Sequence, residues 1–169
     1  MKVPICTFDA KTGILCPKCE TKLKAGHLTR SDIDASVKLI KLAERVPELN
    51  KLSLVRAFEV DGSTVLLVGS GELAVLRHNP ELLPRVEDEL GRKTWIVEAE
   101  TTDRKLLEDL FYPIRILTVN VVWLPDGSKL TKVIIPGRRT ERFPLNVEHV
   151  KRIVKAVRGI DLLVEFERS

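Results

Sequence analysis

The residues best suited to chemistry are three cysteines near the start of the chain. Cys16-Pro17-Lys18-Cys19 has the spacing of a zinc knuckle, in which a tight turn lets two thiolates point at one metal ion. Cys6 is a candidate for the third ligand. For the fourth ligand, His27 is the nearest candidate by residue type and Asp9 is a weaker one. We therefore expect residues 1–28 to form a small head that can hold a structural zinc ion.

Two alternatives leave this head without a metal. Cys6 could form a disulfide with Cys16 or Cys19, or all three thiols could stay reduced as structural residues. Glutamine is absent from the chain, and charged residues make up 31% of it. That bias is expected of a hyperthermophile, and such organisms tolerate intracellular disulfides. Composition therefore does not decide between the alternatives, and no catalytic role is expected for these cysteines.

A second group of chemically suited residues is basic and lies towards the end of the chain. Residues 112–169 carry a net charge of +5, whereas residues 29–111 carry −4. A polyanion such as RNA would therefore favour the last third of the chain over its middle. An ordinary solvated charged face is the alternative explanation. The candidate nucleic-acid-binding residues come from one loop and the helix that follows it: Arg138, Arg139, Arg142, Lys151, Arg152, Lys155 and Arg158.

Alternating helix and strand patterns must position these residues. The first set comprises a helix over 29–46, strands over 53–60, 64–68 and 94–97, and a helix over 80–90. The second set comprises a helix over 103–111, strands over 114–124, 130–135 and 160–166, and a helix over 146–158. Trp95 and Trp123 fall in strands, where core or sheet-face positions are expected and not platforms for base stacking.

Two spacings indicate that the second set repeats the first. The Asp61-Gly62 and Asp126-Gly127 turns lie 65 residues apart, and the helix-ending Gly91 and Gly159 lie 68 apart. Each copy reads helix, strand, strand, helix, strand, which is the element order of a type II KH domain. We therefore predict an α/β (α+β) fold with two tandem type II KH-like units behind the cysteine-bearing head and a helix. The predicted domains are the head over 1–28, the first unit with its leading helix over 29–111, and the second unit over 112–169.

Several local strings carry a resemblance to a known family. They are Gly71-Glu72-Leu73, Glu89 to Lys93 with Val97-Glu98, Leu107 to Pro113, and Val119-Asn120-Val121. With them the chain resembles the archaeal NusA-like family, small proteins of two tandem KH domains that act with transcription complexes. The resemblance covers residues 53–169 and implies an RNA-binding factor.

The binding motif of that family is missing at both expected places. It is a Gly-x-x-Gly loop, whose bare backbone lets phosphates approach closely. Here Arg77-His78-Asn79-Pro80 stands at the first place and Pro144-Leu145-Asn146-Val147 at the second. Side chains then lie where nucleotides would lie, and a proline removes one amide donor. We therefore expect RNA to meet the basic set of the second unit instead of the usual KH groove.

The expected function is a non-catalytic RNA-binding factor associated with transcription, of the termination or antitermination type, or with the translation machinery. The alternative is a protein-interaction module that docks on RNA polymerase or the ribosome without binding RNA. A metal-dependent enzyme would need an open coordination position and a general base, and no pattern in the sequence supplies both. Because no run of 18 apolar residues occurs, we expect a cytoplasmic protein without membrane contact.

Overall fold

The computed structural model describes residues 1–137 and 146–167. Within these residues it has seven α-helices and two three-stranded sheets, which confirms the predicted mixed α and β fold. The elements in chain order are α1 (Thr7–Thr12), α2 (Pro17–Lys24), α3 (Arg30–Arg45), a 3₁₀ turn (Pro47–Lys51), β1 (Leu54–Val60), β2 (Ser63–Val68), α4 (Leu73–His78), α5 (Leu82–Leu90), β3 (Thr94–Glu98), α6 (Asp103–Phe111), β4 (Thr118–Trp123), β5 (Lys129–Pro136), α7 (Val147–Arg158) and β6 (Leu162–Glu167).

The chain divides into two compact units, residues 1–100 and 101–169. Helix α6 therefore belongs to the second unit, whereas the predicted boundary between residues 111 and 112 assigns it to the first. The cysteine head lies inside the first unit. Its buried residues Ile5, Ala10 and Leu28 pack against Ile33 and Ile40 of α3. Among the described residues, no helix is both long enough and apolar enough to cross a membrane.

The two sheets have the same order and the same strand directions. In the first unit the order is β1-β2-β3, with β1 antiparallel to β2 and β2 parallel to β3. In the second unit the order is β4-β5-β6, with β4 antiparallel to β5 and β5 parallel to β6. The first strand of each hairpin, β1 in the first unit and β4 in the second, is therefore an edge strand.

The internal repeat extends to the packing of the helices. Gly91 and Gly159 end α5 and α7 in the left-handed conformation, which glycine adopts without steric cost. The same offset relates Leu82 to Val150 and Val86 to Val154, and all four side chains are buried. The 68-residue spacing therefore brings equivalent residues to equivalent positions of the two cores.

A buried carboxylate fastens α3 to the first sheet. Asp32 is 1% exposed, and its Oδ1 accepts a hydrogen bond of 2.7 Å from the backbone N–H of Ala57 on β1. Its Oδ2 accepts another from the N–H of Thr29, whose hydroxyl in turn accepts from the N–H of Asp32. This capping box begins α3 at the predicted place and fixes the helix that carries the head.

The structure also contains elements that the sequence patterns did not indicate. The head holds the two short helices α1 and α2, and α4 follows the Gly69-Ser70-Gly71 segment. Strand β4 begins at Thr118 and not at Ile114. The turn between α4 and α5 spans residues 79–81, close to where the first Gly-x-x-Gly loop was expected, and it contains no glycine.

Candidate metal centre and basic groove

Four side chains of the head converge on one point. The three thiols of Cys6, Cys16 and Cys19 and a carboxylate oxygen of Asp9 all lie within 4.8 Å of one another. The Cys6 Sγ atom is 3.9 Å from that of Cys16 and 3.7 Å from that of Cys19. All three cysteines are free thiols, so the structure contains neither of the disulfides considered from the sequence.

The sulfur separations suit a tetrahedral metal ion. With a zinc–sulfur bond of about 2.3 Å, two thiolates on a tetrahedron lie about 3.8 Å apart. A disulfide would instead bring two sulfurs to about 2.05 Å. The cluster therefore can hold a metal ion through three sulfurs and one oxygen. Thiolate ligands suit soft and borderline ions, of which zinc is one.

Two short helices place these ligands by the same local geometry. Cys6 is the N-cap of α1 and Asp9 lies in its first turn; Cys16 is the N-cap of α2 and Cys19 lies in its first turn. Each helix thus contributes two residues three positions apart. The spacing Cys6-x-x-Asp9 repeats that of Cys16-x-x-Cys19, and this is the signal that favours Asp9 as the fourth ligand.

His27 is not brought into the cluster. It is exposed, and it is absent from the group of side chains whose ligand atoms converge. Asp9, the weaker candidate by residue type, takes the position instead and is 2% exposed. Its Oδ2 accepts a hydrogen bond of 3.0 Å from the backbone N–H of Cys16, which joins the start of α2 to α1.

The pKa values of two residues in the cluster are shifted in opposite directions. Hydrogen bonds from the Cys16 backbone and from the Cys19 and Cys16 thiols hold the pKa of Asp9 below its usual value. Burial, reinforced by the neighbouring Asp9, raises the pKa of Cys19 to about 12. Without a metal, Cys19 is therefore a protonated thiol beside an ionised carboxylate, and a bound cation would have to displace that proton.

A groove of about 470 Å³ lies on the second unit, between the β4–β5 turn, α7 and the start of β6. Four of its lining residues are cationic, and three of them, Lys151, Arg152 and Lys155, belong to the predicted set. Glu148 and Asp161 also line it, so the formal charge of the lining is positive. The cations are Lys129, Lys151, Arg152 and Lys155, and the apolar lining includes Leu124 and Leu162.

The cations of α7 have acidic neighbours. Lys155 Nζ lies 2.9 Å from Asp161, and Lys151 Nζ lies 3.6 Å from Glu148. The carboxylates in these pairs are 57% and 68% exposed. Such exposed pairs contribute about 0–1 kcal/mol each, so they hold the lysines in place only weakly. Lys129 forms no ion pair with any residue that the structure describes.

Arg158 has a different environment from the other predicted cations. One Nη atom lies 2.7 Å from an Asp103 carboxylate, and the other donates a hydrogen bond of 2.8 Å to the carbonyl of Thr101. Arg158 therefore fastens the end of α7 to the start of α6. Arg138, Arg139 and Arg142 lie outside the described residues.

The first unit lacks the cationic set at the equivalent positions. By the 68-residue offset, Lys155 corresponds to Glu87, Lys151 to Leu83 and Arg152 to Pro84. Glu87 Oε2 accepts a hydrogen bond of 3.0 Å from the N–H of Thr94 at the start of β3. The two units therefore share one architecture but differ in the surface residues of α5 and α7.

Comparisons with known proteins identify the fold alone. No family model matches the chain, and no curated protein matches it. The chain is similar to a solved structure titled "Crystal structure of APE1850", with a TM-score of 0.50 and 17% sequence identity. The match covers 75% of this chain and 96% of that one.

Proposed function

We propose that this chain is a non-catalytic RNA-binding protein whose second unit binds the phosphate backbone in the groove beside α7. The observation that carries the proposal is the combination of four cations with an apolar lining in one concave surface. Cationic side chains attract phosphates without regard to sequence, and an apolar lining accepts the faces of unstacked bases. At the matching positions of α5 the first unit has an acid, a leucine and a proline.

The ion pairs within the groove are compatible with this function. A phosphate has to compete with Asp161 for Lys155 and with Glu148 for Lys151, and each of these exposed pairs contributes about 0–1 kcal/mol. Binding RNA also releases counterions condensed along its backbone, which favours association at low salt. The lysines can therefore exchange a carboxylate for a phosphate at small cost.

The KH-like identity of the two units is part of the same proposal. In its support, the first unit has the order helix, strand, strand, two short helices, strand, with an antiparallel and then a parallel strand pair. The sequence resemblance to NusA-like proteins supports a role with the transcription or translation machinery. In this proposal the metal centre is a structural element that links α1 to α2 within the head.

Salt-dependent binding of a labelled RNA oligonucleotide tests the proposal. Fluorescence anisotropy should show binding at low salt that weakens steeply as salt rises. The double variant Lys151→Glu/Lys155→Glu should weaken binding and flatten the salt dependence by about 1.4 in log–log slope, since each phosphate contact on a single strand contributes about 0.7.

A matched control separates the groove from net charge. The variant Lys41→Glu/Lys51→Glu changes two exposed lysines of the first unit and alters the net charge by the same amount. It should retain most of the affinity and nearly all of the salt slope. Equal losses in both double variants, or no binding by the wild type at low salt, would overturn the proposal. A partner captured from nuclease-treated lysate, without RNA binding, would point to the protein-docking alternative.

A further inference from the structure

Trp123 in the second unit has an exposed indole, and the proposed phosphate contacts give it no role. Trp123 is the last residue of β4 and is 70% exposed, and Val121 on the same face is 51% exposed. Trp123 pairs with Lys129, and Val121 pairs with the buried Thr131. Directly paired residues point to the same side of a sheet. Trp123 and Val121 therefore lie on the face of the sheet that α7 covers, but the described helices do not extend over the β4 end of that face.

The first unit has no counterpart of Trp123 at the same place in its hairpin. Val60, the last residue of β1, pairs with Ser63 across the two-residue Asp61-Gly62 turn, whereas Trp123, the last residue of β4, pairs with Lys129 across residues 124–128. The aromatic residue of β1, Phe58, has the Arg56 guanidinium carbon 5.0 Å from the centre of its ring, a cation–π contact that occupies one face. Among the described residues, no cation or aromatic ring covers Trp123.

The position of Trp123 makes the ring an extension of the groove. Lys129, its cross-strand partner, lines the groove, and so does Leu124, the next residue along the chain. Directly paired residues have their Cβ atoms about 5 Å apart, so the Trp123 and Lys129 side chains leave the same face of the hairpin side by side. An aromatic face beside a row of cations is the arrangement that binds single strands, since bases stack on the ring while phosphates meet the cations.

We propose that the groove binds single-stranded RNA in preference to duplex, with one base stacked on Trp123. The inference rests on the proposed function and adds to it the class of RNA and the residue that selects it. In a duplex the bases are stacked on one another and are not available to the ring. The indole therefore contributes affinity only for a strand whose bases are unpaired.

Titrations of a labelled ten-nucleotide oligouridine and of an RNA duplex with the same number of base pairs test the inference. Trp123→Ala should weaken binding of the single strand by about 5- to 150-fold, the range of one lost stacking contact. Its effect on duplex binding should be small, and the salt slope should not change. Trp123→Phe should restore most of the affinity because it keeps an aromatic face. Because the side chain is exposed, neither variant should lower the melting temperature.

The controls distinguish the two proposals. Trp95→Phe removes the other indole of the chain and should leave affinity unchanged, since Trp95 lies in the first unit. An abasic strand should bind the wild type about as weakly as the oligouridine binds Trp123→Ala. Wild-type affinity in Trp123→Ala, or equal affinity for duplex and single strand, overturns the stacking role while the lysine variants still report on the groove. Failure of the wild type to bind any RNA overturns the proposed function itself.

Discussion

A metal ion bound by the head should stabilise the first unit, and its removal should destabilise that unit. Cys6 and Cys19 are 13 residues apart in sequence, and a bound ion would link them as a cross-link does. By the loop-entropy relation, closing a loop of that length is worth about 3 kcal/mol. With an unfolding entropy of about 2.1 cal/mol/K per residue, the melting temperature should fall by about 14 °C if the 100-residue unit unfolds by itself. The fall should be about 8 °C if all 169 residues unfold together.

Calorimetry of metal-loaded and chelator-treated protein measures this shift, with metal content determined on the same samples. Cys6→Ser is a suitable variant, because Cys6 is exposed and its replacement leaves the packing of the head in place. This variant should melt near the chelated wild type and should not respond to added zinc. A wild-type protein that contains no metal after purification without chelator, and whose melting temperature is unchanged by zinc, would refute the reasoning.

Two further predictions concern buried carboxylate and thiol groups. Asp32→Ala should lower the free energy of unfolding by about 2–4 kcal/mol, because the buried N–H of Ala57 and the start of α3 lose their acceptor. Asp34→Ala on the exposed side of the same helix should change it by less than about 0.5 kcal/mol, as urea titration would show; equal effects would contradict the assignment. Metal affinity should rise at least tenfold per pH unit between pH 6 and 8, because Cys19, with its pKa raised to about 12 by burial, must lose its proton to bind. Calorimetric titrations in buffers of different ionisation enthalpy would count the released protons, and a pH-independent affinity would contradict a role for the Cys19 thiolate.

The repeated fold could be predicted from the sequence because local signals mark it in both copies. The Asp-Gly turns and the helix-ending glycines require backbone conformations that few other residues adopt, so their spacing marks the repeat in the sequence. The short helices α1 and α2 could not be found in this way. With six and eight residues they complete too few turns for an apolar periodicity to appear.

The candidate sites are formed by contacts between separate elements of the chain, and a local sequence pattern does not reveal such contacts. Asp9 was the weaker fourth ligand by residue type, and its position becomes clear only when α1 and α2 bring two i, i+3 pairs together. Arg158 looked like its neighbours on α7, yet it pairs with Asp103, 55 residues away. The exposure of Trp123 likewise depends on how far the helices extend over the sheet, which the strand pattern does not reveal.

An NMR titration with oligouridine would test the central claim most directly, because it locates the RNA on the chain. The account predicts that the largest backbone amide shifts fall in the β4–β5 turn, on the Lys151 and Lys155 side of α7 and at the start of β6, with little change in α5 or in the head. Shifts concentrated in the first unit, or none at saturating RNA in low salt, would contradict it.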